Sequence, residues 1–183
     1  MRFRIKLILI FITTLLLSGC GFHSHSPKDV PVLLKTLYID SYNPYNPVTV
    51  QVTRMLQGLN IHIVNDPADA PLTLRIRRNI WTPDVPTIIF SGNAHSYSYT
   101  LTTKFSLITR DGKYIISPTS VSSASSVLLN SNQVYAPNAT ALMKSEIVRT
   151  ISISIFNSLV SPGTKQTLDK LYRRKHHRHA VKP

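Results

Sequence analysis

The sequence predicts an α+β domain, with a single mixed or antiparallel sheet of about four strands and two helices packed on one face of it. Two runs carry the sheet. Leu72, Leu74 and Ile76 alternate with Thr73, Arg75 and Arg77. Further on, Tyr97, Tyr99, Leu101, Thr103, Phe105 and Leu107 alternate with Ser98, Thr100, Thr102, Lys104 and Ser106. A period of two with one apolar and one polar face marks strands that bury one side only. The helices come from a different period. Val48, Val52, Met55, Leu56 and Leu59 fall on one helical face, and Ile147, Ile151, Ile155 and Leu159 recur every four residues.

The elements follow in order. Residues 1–19 read as a segment removed on export. Arg2, Arg4 and Lys6 lead an apolar run from Leu7 to Leu17, broken only by Thr13 and Thr14. Such a run suits the h-region of a secretory signal and falls short of the ~20 residues that span a bilayer. It ends in Leu17-Ser18-Gly19-Cys20, which resembles the bacterial lipobox, and Cys20 is the only cysteine of the chain. The resemblance implies that the Cys20 thiol carries a diacylglycerol and becomes the acylated N-terminus. Residues 20–31, with their prolines, serines and histidines, read as a lipidated tether.

Residues 32–161 are expected to form the domain. Leu37 and Ile39 alternate in a short first strand. A Ser41–Pro47 loop of turn formers follows, with Asn46 as N-cap and Pro47 at the first helical position. Gly58 marks where that helix is expected to stop. Ile61 to Val64 is a second strand, Leu72 to Ile76 a third, and Trp81 to Pro86 breaks it with two prolines. The long strand from Tyr97 turns at Asp111-Gly112, a strong hairpin signal, and returns through Tyr114 and Val121 to Val127. Pro118 marks an edge position or a bulge. From Asn138, a candidate N-cap, no breaker appears until Pro162-Gly163. Ile151-Ser152-Ile153-Ser154-Ile155 also alternates like a strand, but the unbroken length favours a helix over about Ala139 to Val160. Residues 162–183, ending in a cluster of Arg, Lys and His, lack apolar content and are expected to be a disordered basic tail.

Charge and motif content exclude several classes. The net charge is +13. Three of the basic residues lie in the signal and seven in residues 162–183, so the domain itself is only mildly basic. That distribution points away from nucleic acid and toward anionic lipid or lipopolysaccharide. One lipid-bearing cysteine leaves no disulfide and no thiolate metal site. The six glycines form no dinucleotide or phosphate-loop motif, and no nucleophile elbow or working carboxylate pair is present. No enzymatic activity, metal or cofactor is expected beyond the covalent lipid on Cys20. His176, His177 and His179 read as part of the charged tail, and His62 as a satisfied, half-buried imidazole. Tyr97, Tyr99 and Phe105 read as core under the helices, with a contact surface as the other reading.

Taken together, these segments resemble the LptE family of lipopolysaccharide-assembly lipoproteins. The resemblance rests on Cys20-Gly21-Phe22-His23 at the mature start, Val30-Pro31, Leu37 to Ser41, Val52 to Leu56, Leu59 to Ile63, Leu72 to Ile76 and Ser96-Tyr97-Ser98-Tyr99. It covers roughly residues 20–160. It implies a non-enzymatic plug in the LptD β-barrel that helps that barrel assemble and contacts lipopolysaccharide. The location implied is the outer membrane, by a lipid anchor. Family members can carry a basic residue in the loop before the long strand, and here that loop reads Phe90-Ser91-Gly92-Asn93. The nearest cations, Lys104, Arg110 and Lys113 on the hairpin, are therefore the candidate lipopolysaccharide contacts. A generic lipoprotein binding peptidoglycan or a small ligand is the alternative.

Overall fold

The computed structural model describes residues 30–83, 87–89, 94–130 and 137–180. The lipobox, Cys20, nearly all of the tether and the Phe90–Asn93 loop lie outside the described residues. The strands are β1 (Thr36–Ser41), β2 (His62–Val64), β3 (Leu72–Pro83), β4 (Thr87–Ile89), β5 (Ala94–Thr109) and β6 (Tyr114–Asn130). The helices are α1 (Pro47–Gly58), α2 (Pro137–Val160) and α3 (Pro162–Ala180). The α+β class holds, with a six-stranded sheet where about four strands were expected and three helices where two were expected.

The sheet is mixed. β1 runs parallel to β2 on one side and to β3 on the other. β3 then pairs antiparallel with β5, and β5 with β6. β4 lies in line with β3 on the same side of β5: Pro83 faces Tyr99 and Thr87 faces Ser96. One edge of β5 is thus paired first by a strand ending at Pro83 and then by one starting at Thr87, where the sequence suggested an end.

Local chemistry explains the boundaries of α1. Asn46 Oδ1 accepts the Val48 amide at 3.0 Å, and Pro47 takes the first helical position. The helix ends at Gly58, where the sequence placed its stop, and the left-handed closing residue follows two positions on. Asn60 adopts φ 59, its amide donates to Gln57 O at 2.9 Å, and the Ile61 amide donates to Leu56 O at 3.2 Å. This is a Schellman closure with asparagine in the left-handed position, sealed by contact between buried Leu56 and Ile61.

The ambiguous Ile/Ser stretch is helical throughout. Ile151, Ser152, Ile155 and Leu159 are buried while Ile153 is exposed, which fits a helix and not a strand. The serines satisfy themselves. Ser152, Ser154 and Ser158 donate to the carbonyls four residues back, at 2.8 to 3.0 Å. Asn138 is not the cap, because α2 already begins at Pro137.

The core lies between one sheet face and the helices. Leu37, Leu72, Leu74, Ile76, Leu101, Phe105 and Leu107 face Val48, Val52 and Leu56 of α1 and Ile147, Ile151 and Ile155 of α2. Thr103 is fully buried among them and donates its hydroxyl to Asn79 Oδ1 at 2.7 Å. His62 is exposed, not half-buried.

The structure corrects the reading of residues 162–180; residues 181–183 lie outside the described residues. Instead of a disordered tail, α3 runs to Ala180, and Leu168 is fully buried in the core. α3 packs against α2 and against the turn at residues 32–35. Ser161-Pro162 is a helix start. The Ser161 hydroxyl accepts the Thr164 amide at 3.3 Å, and the Thr164 hydroxyl donates to Ser158 O at 2.8 Å. Reading Pro162 only as a breaker missed that serine before proline is also the N-cap and first position of the next helix.

Replacing Leu168 by Ala should lower unfolding stability by about 2–5 kcal/mol, the usual cost of emptying a closed leucine site. Ser161→Ala should lower it by about 1 kcal/mol. Urea denaturation of the soluble domain checks both. A Leu168→Ala effect below a few tenths of a kcal/mol would place the tail outside the core.

Candidate functional site: the open face of the sheet

Strand parity sends a second set of side chains to the face away from the helices. These are Tyr38 and Asp40 on β1, Thr73, Arg75 and Arg77 on β3, Thr102, Lys104 and Ser106 on β5, and Ser120 and Ser122 on β6. Lys104, Arg77, Ser120 and Ser122 are exposed and Tyr38, Asp40, Thr73, Arg75 and Thr102 half-exposed, while Ser106 is buried. Buried polar groups would need partners that a bare sheet cannot supply, so exposure and polarity go together.

Near the hairpin turn the face carries an open hollow of about 570 Å3. Its lining includes Tyr38, Asp40, Thr73, Arg75, Thr109 and Arg110. Asp40 Oδ2 accepts from Arg77 Nη2 at 2.6 Å and lies 3.4 Å from Arg75 Nε. All three side chains are partly exposed, so these pairs contribute little to stability and mainly hold the guanidinium groups in place. Beyond them the face becomes a field of hydroxyls. Thr102 and Ser122 bond across the strands at 3.0 Å.

The three cations singled out in the sequence do not form one patch. Arg110 sits at the turn, where its side chain donates to Ala68 O and its amide to Pro71 O. It ties the hairpin to the β2–β3 connection. Lys113 is exposed on the far side of the same turn, with its amide on the Thr109 hydroxyl at 3.1 Å. Lys104 lies six residues earlier on β5, roughly 20 Å along the strand. Its neighbours are cations of β3, since Lys104 pairs with Arg77. Arg77, Arg78 and Asp40 are the site residues that sequence reasoning passed over. Arg75 and Arg77 were visible as the outward residues of β3, but nothing short of the register brings them beside Lys104.

The helix side holds a separate aromatic contact. Lys144 of α2 lies with Nζ 4.6 Å from the Tyr99 ring centre and 5.8 Å from that of Trp81. Phe105 is core, Tyr99 is half-buried beside it, and the Tyr97 side chain lies outside the described residues. Among the described residues no three metal-ligating side chains cluster. No described helix is long and apolar enough to cross a membrane.

Known proteins resemble this chain in sequence and in fold. In sequence, the chain is 35% identical over 104 residues to the LPS-assembly lipoprotein LptE of Pectobacterium atrosepticum, covering 56% of each chain. It is 34% identical over 113 residues to that of Photorhabdus laumondii, covering 61% of this chain and 62% of the relative. The match thus spans less than two thirds of either relative's length. In structure, the rare lipoprotein B of Shewanella oneidensis superposes with a TM-score of 0.59 at 20% identity, over 69% of this chain and 94% of that one. A minor lipoprotein of Acinetobacter baumannii gives 0.55 at 20% identity, over 72% and 94%. At that identity the likeness concerns the fold. A family model described as LptE, lipopolysaccharide-assembly, matches residues 34–159, from the turn before β1 to the last turn of α2. The chain belongs to the LptE family.

Proposed function

We propose that this protein is an outer-membrane lipoprotein of the lipopolysaccharide export machinery, which plugs and helps assemble the LptD β-barrel and assists insertion of lipopolysaccharide into the outer leaflet. The observation that carries this reading is the LptE family match across residues 34–159. The physics of the open face supports it. The interior of a large outer-membrane barrel is polar and wet. A sheet with hydroxyls and charged groups on one side can meet such a polar, wet wall, while its helices keep the core closed. The role needs no catalysis by this chain. Its work is to occupy, brace and guide.

In this reading Cys20 is the membrane anchor. Each buried methylene contributes about 0.8 kcal/mol, so two or three acyl chains hold the protein where one would not. Cys20→Ala should abolish palmitate incorporation and processing after Gly19. Native protein with an unmodified Cys20 in its intact mass would rule the anchor out.

Depleting the protein should lower the amount of assembled barrel and admit large antibiotics across the outer membrane. Pull-down from detergent-solubilised outer membrane should recover a β-barrel in one-to-one ratio. Unchanged barrel levels and permeability after depletion would defeat this assignment and favour a stand-alone lipoprotein.

A further inference from the structure

The most basic element of the molecule lies outside the family match. That match ends at residue 159, and α3 starts at Pro162. From Pro162 to Pro183 the sequence holds seven basic residues and one acidic residue, Asp169. Helical spacing divides α3 into two sides. Thr164 and Leu168 are buried and Leu171 and Tyr172 half-buried, which marks the side toward the domain. Lys170, Arg173 and Arg174 stand at i, i+3 and i+4 on the other side, and all three are exposed. Among the described residues, no ion pair joins any of them to a carboxylate.

Folding alone does not account for this face. Like charges at a spacing of four destabilise a helix. The helix dipole favours cations only in the last turn, and these three stand before it. The position of α3 is a second observation. It packs against the turn at residues 32–35, where Leu34 is fully buried, as is Leu168 of α3. Val32 and Lys35 of the same turn are exposed. The chain enters that turn from Val30, ten residues after Cys20. An extended chain spans at most about 3.6 Å per residue, so a lipid on Cys20 keeps the turn within about 35 Å of the bilayer surface. The basic helix lies against the very turn that the tether holds near the membrane.

We infer that Lys170, Arg173 and Arg174 of α3 form a docking face for the headgroups of anionic phospholipids, in the bilayer that holds the Cys20 lipid. The three side chains bring charge and no apolar surface to insert, so α3 rests on the headgroups and does not enter the hydrocarbon. A basic patch beside an acyl anchor is a second, independent hold on a membrane. It orients the domain as well, because a tether alone leaves every orientation open. α3 belongs to the helix side of the core, so the open face of the sheet stays free. The choice of bilayer rests on the Cys20 anchor proposed above, whereas the docking face rests on α3 itself.

The test uses the chain from residue 20 to 183 with Cys20→Ala, so that no acyl chain contributes. It is co-sedimented with vesicles of phosphatidylcholine, and with vesicles of phosphatidylcholine and phosphatidylglycerol in equal amounts. The parent should bind the anionic vesicles and not the neutral ones, and added salt should weaken that binding. Arg173→Gln with Arg174→Gln should lower partitioning about thirtyfold, at about fivefold for each basic residue near an anionic surface. Thermal unfolding should stay the same, since both side chains are exposed. Removing two exposed cations from the other helices, with Arg54→Gln and Arg149→Gln, controls for net charge and should leave binding close to that of the parent. Equal binding to both kinds of vesicle, or equal loss in the two double variants, overturns the docking face. So does a chain ending at Arg174 that loses all binding while Arg173→Gln with Arg174→Gln keeps it. The anchor reading fails separately, by an unmodified Cys20 in the native protein, even where binding through α3 persists.

Discussion

The antiparallel pairing of β3 with β5 is the constraint on which the rest of the molecule depends. It joins the parallel half of the sheet, β2-β1-β3, to the long hairpin of β5 and β6. Its inward residues, Leu72, Leu74, Ile76, Leu101, Phe105 and Leu107, are the floor on which α1 and α2 rest. Its outward residues set the character of the exposed face. Because side chains alternate with a period of two, a register slip by one residue would exchange those roles and put the arginines under the helices. The hydrophobic pattern therefore fixes the register, and the register fixes the chemistry of the open face.

One interruption in that pairing does most to differentiate the face. At Arg78 the bulge restores the alternation after two consecutive outward residues, so Asn79 returns to the inner side and accepts the buried Thr103 hydroxyl. The same extra residue crowds cations on the outer side. Asp40 reaches them only because β1 lies parallel beside β3, with Asp40 paired to Arg75. Core satisfaction and surface charge are thus two consequences of a single inserted position.

The helix layer shows how a serine-rich sequence closes a core. α2 buries Ser152 beside three isoleucines, and its hydroxyl is satisfied by the carbonyl of Val148. α3 continues from α2 through Ser161, whose hydroxyl serves both helix ends, accepting from Thr164 and donating to Ser158. One leucine, Leu168, then holds α3 on the domain, next to the turn at residues 32–35 where Leu34 is also buried. A segment with very few apolar residues can join a core when one of them meets a closed site and its first turn is capped.

The sequence by itself determined the α+β class, the inward residues of β3 and β5, the start of α1 at Asn46-Pro47, the hairpin at Asp111-Gly112 and the family. Each is a local pattern, a period or a cap, legible without knowing what lies across from it. Only the tertiary structure decided the rest. The helix ends at Gly58 as its stop signal says, but the left-handed closure falls to Asn60, because Ile61 finds Leu56. The strand count rose because β4 exists only as a partner of β5. Leu168 is buried because a site awaits it, which composition cannot show. Lys104, Arg110 and Lys113 are close in sequence, but strand extension separates Lys104 from the turn, while pairing brings it to Arg77 and Arg78 from far along the chain. Sequence neighbours on a strand move apart by about 3.4 Å per residue, whereas hydrogen-bonded strands stay about 4.8 Å apart however distant their residues are along the chain.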